Sequence, residues 1–173
     1  MSDLEFKGQV ALVTGASRGI GASIALTLAQ QGFHVTGTAT TPEGAARISE
    51  QLSAFAGCQG ACLQVNDAAA VQALVDDMVS RLGGLQVLVN CAGIIQRAGA
   101  EFEIDGFRRT LEVNLVGTMR MCDSAKPRFA RTGAAIVNTA SMLSFFGSPL
   151  VPGYSASKGG VMQLTRSLAA AWA

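Results

Sequence analysis

"QVALVTGAS" (9–17) runs directly into "TGASRGIG" (14–21), and the reading of this join decides the fold. Residues 9–17 are a short apolar run ending among small residues, which reads as a buried strand. Residues 19–31 then place Ile20, Ile24 and Leu28 at helical spacing, with Gly32 positioned to end the helix. A strand thus passes through a glycine-rich turn into a helix. Gly15, Gly19 and Gly21 follow a G-x-x-x-G-x-G spacing. Glycine permits a tight turn and lets a backbone come close to a pyrophosphate. The helix beyond offers that anion unpaired N–H groups and a positive dipole end. A glycine turn alone is a weak signal, since many solvated turns share its composition. Between a strand and a helix, at the head of an alternating pattern, it reads as a dinucleotide site.

Outward from this join the alternation continues. "FHVTGTA" (33–39) reads as a second strand, and 42–57 as a helix with proline at its start and glycine at its end. "ACLQV" (61–65) reads as a third strand. Asp67 then caps a helix carrying Val71, Leu74, Val75, Met78 and Leu82. Residues 85–90 read as a fourth strand and 134–141 as a fifth. Between them a long helix, roughly 104–130, bears Phe107, Leu111, Leu115, Met119, Cys122 and Phe129, with Pro127 ending or kinking its last turn. The last helix starts near Tyr154 and carries Val161, Leu164, Leu168 and Trp172 on one face. Strands alternating with helices predict one α/β domain over 1–173, a doubly wound parallel sheet of Rossmann type with five strands. Ligands of such sheets lie beyond the carboxyl ends of the strands.

Composition narrows the function. Nearly half the residues are hydrophobic, and 13 basic side chains balance 12 acidic ones. Neither a nucleic-acid nor a membrane-surface partner is expected from that balance. No apolar run reaches the ~18 residues of a membrane span. The N-terminus has no basic stretch leading into an apolar core, so the default expectation is a cytoplasmic protein. Cys58, Cys62, Cys91 and Cys122 are then expected as free thiols. No metal site is expected, because no C-x-x-C pair occurs and His34 is the only histidine. The same scarcity argues against a Ser-His-Asp hydrolase, and His34 reads as a structural residue.

The second strand selects the dinucleotide. An acid after it would bind a ribose 2′-hydroxyl, yet "GTATTPEG" has none before Glu43. Arg18 lies inside the glycine loop, where a guanidinium can pair with a 2′-phosphate, and Thr38 and Thr40 can add hydroxyl donors. NADP(H) is therefore favoured over NAD(H). After the fourth strand, "NCAG" (90–93) offers Asn90 as a bridge between strand ends, while Ala92 and Gly93 leave room for a ribose.

"GYSASKGG" (153–160) holds the only tyrosine in the chain. Tyr154 and Lys158 are four apart, hence on one helix face. An ammonium favours a phenolate, so the pair reads as a proton donor and its electrostatic tuner. Ser155, Ala156, Ser157, Gly159 and Gly160 are expected to leave the surface open to a flat cofactor. Ser141 ends the fifth strand, where its hydroxyl can bind the same substrate oxygen. Asn114 interrupts the apolar stretch "LEVNLVG" in a helix that does not favour asparagine.

In this order, T-G-x-x-x-G-x-G, N-x-A-G, Asn, Ser and Y-x-x-x-K resemble the short-chain dehydrogenases/reductases over essentially the whole chain. The resemblance implies a catalytic tetrad of Asn114, Ser141, Tyr154 and Lys158. Tyr154 would exchange the proton, Ser141 polarise the carbonyl, Lys158 hold the nicotinamide ribose, and Asn114 hold a relay water. It also implies a cofactor-binding set of Gly15, Ser17, Arg18, Gly19, Ile20, Gly21, Thr38, Thr40, Val65, Asn90, Ala92, Gly93, Tyr154 and Lys158. "TGASRGIG" resembles bacterial 3-oxoacyl-[acyl-carrier-protein] reductases, whereas "NTASMLSFFGSPLVPGYSASKGG" is more similar to sugar-acid or polyol dehydrogenases. The substrate expected is a small carbonyl or alcohol, including a carrier-bound acyl chain, with a 3-oxoacyl thioester favoured. A non-catalytic dinucleotide-binding fragment is the competing expectation. Cys91 stands where the family usually has asparagine, and Gln64 where an acid or asparagine meets the adenine. The resemblance further implies two more strands and a lid beyond "SLAAAWA", so the chain is expected to be truncated within its last helix. The apolar faces of the long and last helices predict a homo-oligomer through those two helices, and a bare fifth strand predicts aggregation and poor solubility.

Overall fold

The computed structural model describes residues 6–129 and 133–172. Five strands, β1 (Val10–Val13), β2 (His34–Ala39), β3 (Gln59–Cys62), β4 (Val87–Asn90) and β5 (Ala135–Asn138), form one sheet in the order β3-β2-β1-β4-β5. Every pairing is parallel. The helices are α1 (Gly19–Gln30), α2 (Pro42–Gln51), α3 (Ala68–Leu82), α4 (Ile104–Leu111), α5 (Gly117–Ala125) and α6 (Pro152–Trp172).

β1 shows why both faces are covered. Successive side chains of a strand point to opposite faces. Val10 and Leu12 enter one cluster with Val71, Val75 and Met78 of α3 and Met121 and Cys122 of α5. Ala11 and Val13 enter the other, with Ala25 and Ala29 of α1 and Ile48 of α2. All four residues of β1 are buried, and full burial of a side chain such as Leu12 contributes about 1.5–3 kcal/mol.

Several boundaries differ from the sequence reading. β3 lies at 59–62 rather than 61–65, because its register pairs Gly60 with Gly37 of β2. Leu63 still donates its N–H to Ala39 O at 2.8 Å, and then Leu63 and Val65 turn into the core. α2 stops at Gln51, short of the expected 57. β5 ends at Asn138, where β4 runs out of partners.

The long helix is continuous from Ile104 to Ala125 but widens into a π-turn at Glu112–Val116. Pro127 sits in the 3-10 turn Lys126–Arg128 that closes it, and the expected terminal residue, 130, lies outside the described residues. On α6 the apolar stripe is buried at one end only. Val161 is buried, whereas Leu164, Leu168 and Trp172 are only half-buried, Leu168 and Trp172 packing at the margin of the α3/α5 cluster, so the stripe is shared between the core and the surface. Lys126 Nζ lies 4.4 Å from the centre of the Trp172 ring. No helix among the described residues is long and apolar enough to cross a membrane.

Candidate active site

The sheet order reverses at β1, with β2 on one side and β4 on the other. At the carboxyl ends of these strands lies a cleft of about 630 Å³. Its lining includes Gly15, Ser17, Arg18, Gly19, Ile20, Gly21, Thr38, Thr40, Val65, Ala92, Gly93, Tyr154 and Lys158. Of the residues expected to bind cofactor, Asn90 alone is not on this surface. It is buried below it, donating to Asn138 Oδ1 at 2.9 Å, and so bridges the ends of β4 and β5.

The glycine loop is built for close approach. Gly15 has φ +68°, and a Cβ there would lie 2.8 Å from Ala92 Cα. A Cβ on Gly21 would overlap Gly15 O, so the loop folds tightly onto the first turn of α1. Gly19, at φ +58°, faces open space. The N-cap, Arg18, makes no side-chain cap, and no acid lies in the first turn. The positive end of α1 is thus free for an anion, and these residues fit the pyrophosphate of a dinucleotide. Arg18 and Thr40 are exposed beside it. Glu43, the first acid after β2, lies in the first turn of α2.

On the other side of the cleft, Lys158 is buried, and its Nζ donates to Thr139 O at 2.6 Å, just beyond β5. The same Nζ lies 5.6 Å from the Tyr154 ring centre. Burial pushes the Lys158 ammonium below the ordinary lysine pKa, an effect that the negative charge of a Cys91 thiolate would partly offset. A Cβ on Gly93 would crowd Asn114 Oδ1 at 3.3 Å, so this glycine lets the loop after β4 lie close against Asn114.

Ser141 is not on the cleft lining. It begins the turn Met142–Ser144 and accepts from Leu143 N at 3.2 Å. Ser144 Oγ accepts from Ser141 N and donates to Lys158 O, at 3.1 and 2.8 Å. The serine turn and the lysine are therefore hung on one another.

Asn114 occupies the π-turn and is buried. It accepts from Ile94 N at 2.7 Å and donates to Ile94 O at 2.8 Å and Ser157 Oγ at 3.0 Å. Both amide hydrogens are thus engaged, so a water at this asparagine has only acceptors to meet. Ser157 is itself buried and donates to Tyr154 O at 2.7 Å. A Cβ on Gly160 would lie 2.7 Å from Leu115 Cδ2. Ser157 and Gly160 therefore serve helix packing rather than the open surface expected of them.

Three contributors escaped the sequence reading. Thr14 Oγ1 accepts from both Cys91 N and Ala92 N at 3.0 Å, bracing the glycine loop against the loop after β4. Arg120 donates to Val65 O at 2.8 Å and Glu112 Oε1 at 3.0 Å, fixing the far wall of the cleft. Glu101, buried in the turn Ala100–Phe102, accepts from Tyr154 N at 2.7 Å. The hint for Thr14 was a hydroxyl at the end of an apolar strand. Nothing local marks the other two.

A five-stranded parallel sheet with a glycine loop at its switch point and a Tyr/Lys pair opposite defines an α/β oxidoreductase of dinucleotide-binding type. Residues 9–173 match the sequence model of the short chain dehydrogenases, and the chain belongs to that family of NAD(P)-dependent oxidoreductases. It is 39% identical to a D-threitol dehydrogenase of Mycolicibacterium smegmatis, over 98% of this chain and 66% of that protein. It is 37% identical to a cyclohexanol dehydrogenase of Acinetobacter, over 98% of this chain and 69% of the other. It is 33% identical to a 3-oxoacyl-[acyl-carrier-protein] reductase of Salmonella typhimurium, over 96% of this chain and 68% of that one. A crystal structure from Sinorhizobium meliloti 1021, assigned as a short-chain alcohol dehydrogenase, superposes with a TM-score of 0.83 at 37% identity, covering 98% of this chain and 68% of its own. The chain thus spans about two thirds of the length of these relatives.

Proposed function

We propose that the protein is an NADP(H)-dependent carbonyl reductase whose catalytic groups are Tyr154, Lys158 and Ser141, with Asn114 as the fourth member of the tetrad in a positioning role. The observation that carries this reading is the sole tyrosine, held beside a buried lysine in the same cleft as the glycine loop. A bound nicotinamide dinucleotide would supply the hydride. The glycine loop and the N-terminus of α1 hold its pyrophosphate, and Arg18 with Thr40 meets the 2′-phosphate. Lys158, anchored on Thr139 O, presents its charge towards the ribose and the phenol. Tyr154 gives its phenolic proton to the substrate oxygen, while the Ser141 hydroxyl, off the cleft lining but two residues beyond Thr139 on it and only accepting from Leu143 N, is left to donate to that oxygen. Asn114 sets the backbone of Ile94 and, through Ser157, that of Tyr154.

A 3-oxoacyl thioester is the favoured substrate. A polyol or sugar-acid dehydrogenase is the second reading, supported by the D-threitol and cyclohexanol relatives. We place the protein in the cytoplasm as a homo-oligomer. The support for self-association is the apolar stripe of α6, where Leu164, Leu168 and Trp172 are only half-buried. Initial rates with NADPH and NADH against a 3-oxobutanoyl thioester, cyclohexanone and, in reverse, D-threitol test these readings. Fastest turnover of the thioester with NADPH supports the first. Turnover of D-threitol alone selects the second, and no turnover with any pair overturns both.

A further inference from the structure

We propose that Glu101 is a positioning residue for Tyr154, clamping its backbone and the loop after β4 into one unit. The inference rests on Tyr154 as the proton donor. Glu101 is 1% exposed, and among the described residues it forms no ion pair. A buried carboxylate without a cation is costly unless its lone pairs are met. Here one oxygen accepts from Tyr154 N at 2.7 Å and the other from Gln96 N at 2.8 Å, while the Thr110 hydroxyl, 3.4 Å away, is closer to Gly106 O at 3.0 Å.

The choice of partners is informative. Tyr154 is in the first turn of α6, where backbone N–H groups have no intrahelical acceptor. A nearby serine or aspartate usually supplies one. Here Val151 precedes the helix and has no acceptor side chain, and the acceptor comes from 53 residues away. A local cap would stabilise the helix alone. This one ties the helix to the segment that carries Ile94 and Ile95 along the cleft wall. The other end of the segment is held too, since Gln96 Nε2 donates to Gly106 O at 2.6 Å and Thr110 Oγ1 at 3.0 Å. Between Gln96 and Glu101 the chain passes through Ala98 at φ 57° and Gly99 at φ 82°. A non-glycine residue in the left-handed region is strained and persists only where its surroundings hold it. Gly153 completes the fit, because a Cβ there would lie 3.2 Å from Glu101 Oε2 and 3.3 Å from Phe107 Cδ2.

The single tyrosine makes the clamp directly observable, since a chain labelled with 15N-tyrosine gives one amide signal, that of Tyr154. In the parent chain the signal should lie downfield and exchange slowly with deuterium. Glu101→Gln, of nearly equal volume, should move it upfield and speed its exchange. It should also lower kcat roughly 10- to 100-fold with the best substrate of the panel above, because small misplacements of a reacting group have that effect. The Kd for the dinucleotide should stay within about twofold of the parent's, which separates positioning from general damage. Gly153→Ala should shift the same signal, since its methyl displaces the carboxylate. An unmoved signal or an unchanged kcat in Glu101→Gln overturns the proposal. So does equal loss of dinucleotide binding and kcat, which would make Glu101 merely structural. If the parent chain turns over nothing, the proposed function fails, and the clamp is then decided by the amide signal alone.

Discussion

Arg18 stands exposed at the N-cap of α1 and makes no side-chain cap to its own helix. A charge-assisted phosphate contact contributes about 1.5–3 kcal/mol. Arg18→Ala should therefore raise the Kd of NADPH roughly 10- to 100-fold and leave that of NADH nearly unchanged, as read by fluorescence titration. Equal weakening of both would contradict the assignment of the 2′-phosphate. Residues of this kind were legible because their chemistry is in their own side chains and their place follows a strand. Gly15, Arg18, Tyr154 and Lys158 all line the predicted cleft. Thr14, Glu101 and Arg120 were not legible. Each acts on a backbone group remote in sequence, Thr14 on Cys91 N and Glu101 on Tyr154 N, and no spacing within a window encodes such a contact.

Elements were read best where the apolar period was unbroken, as in α3, whose Asp67 cap accepts from Ala70 N as expected. β3 was misplaced because "QGAC" looks unlike a strand. Gly60 is required by packing rather than propensity, since a Cβ there would overlap Ala45 O of α2. The π-turn was marked only by its misfit asparagine. Asn114→Ala would leave Ile94 N, Ile94 O and Ser157 Oγ without this partner, and each unmet buried group costs about 1–3 kcal/mol. A lower urea midpoint is expected, together with reduced turnover, and an unchanged midpoint would show that the π-turn does not depend on these bonds. Gly21→Ala tests the glycine loop in the same way. Its methyl meets Gly15 O, so the loop must open, and dinucleotide binding should fall below detection in a titration that saturates the parent chain.

At the scale of the whole molecule, the alternation of apolar runs was enough to give the five-stranded parallel sheet, whereas the packing direction of α6 was not. Helical spacing shows that Val161, Leu164, Leu168 and Trp172 share a face but not which neighbour that face meets. The buried core also sets a pH dependence. Burial pushes the Cys122 thiol up to about 11, against a partial lowering by Asn90 Nδ2. The folded state therefore keeps a proton that the unfolded chain loses at lower pH, and this contribution is complete below the thiol's unfolded value and is lost as pH rises through about 11. Lys158, lowered by burial, has the opposite slope, gaining stability as pH rises between its folded and unfolded values. Urea midpoints measured on the alkaline side should fall less steeply for Cys122→Ala than for the parent chain, and identical slopes would remove the thiol from the account. Light scattering at micromolar concentration should show a homo-oligomer, whereas a stable monomer would contradict self-association through the long and last helices. On the proposed function, one cleft joins a dinucleotide site to a tyrosine that delivers the proton. NADPH oxidation with the best ketone, followed in the full chain and in its Tyr154→Phe variant with NADPH binding measured in both, decides whether that tyrosine is the donor. Turnover is expected in the first and none in the second, with equal binding; turnover by the phenylalanine variant at the parent rate would rule the tyrosine out as proton donor.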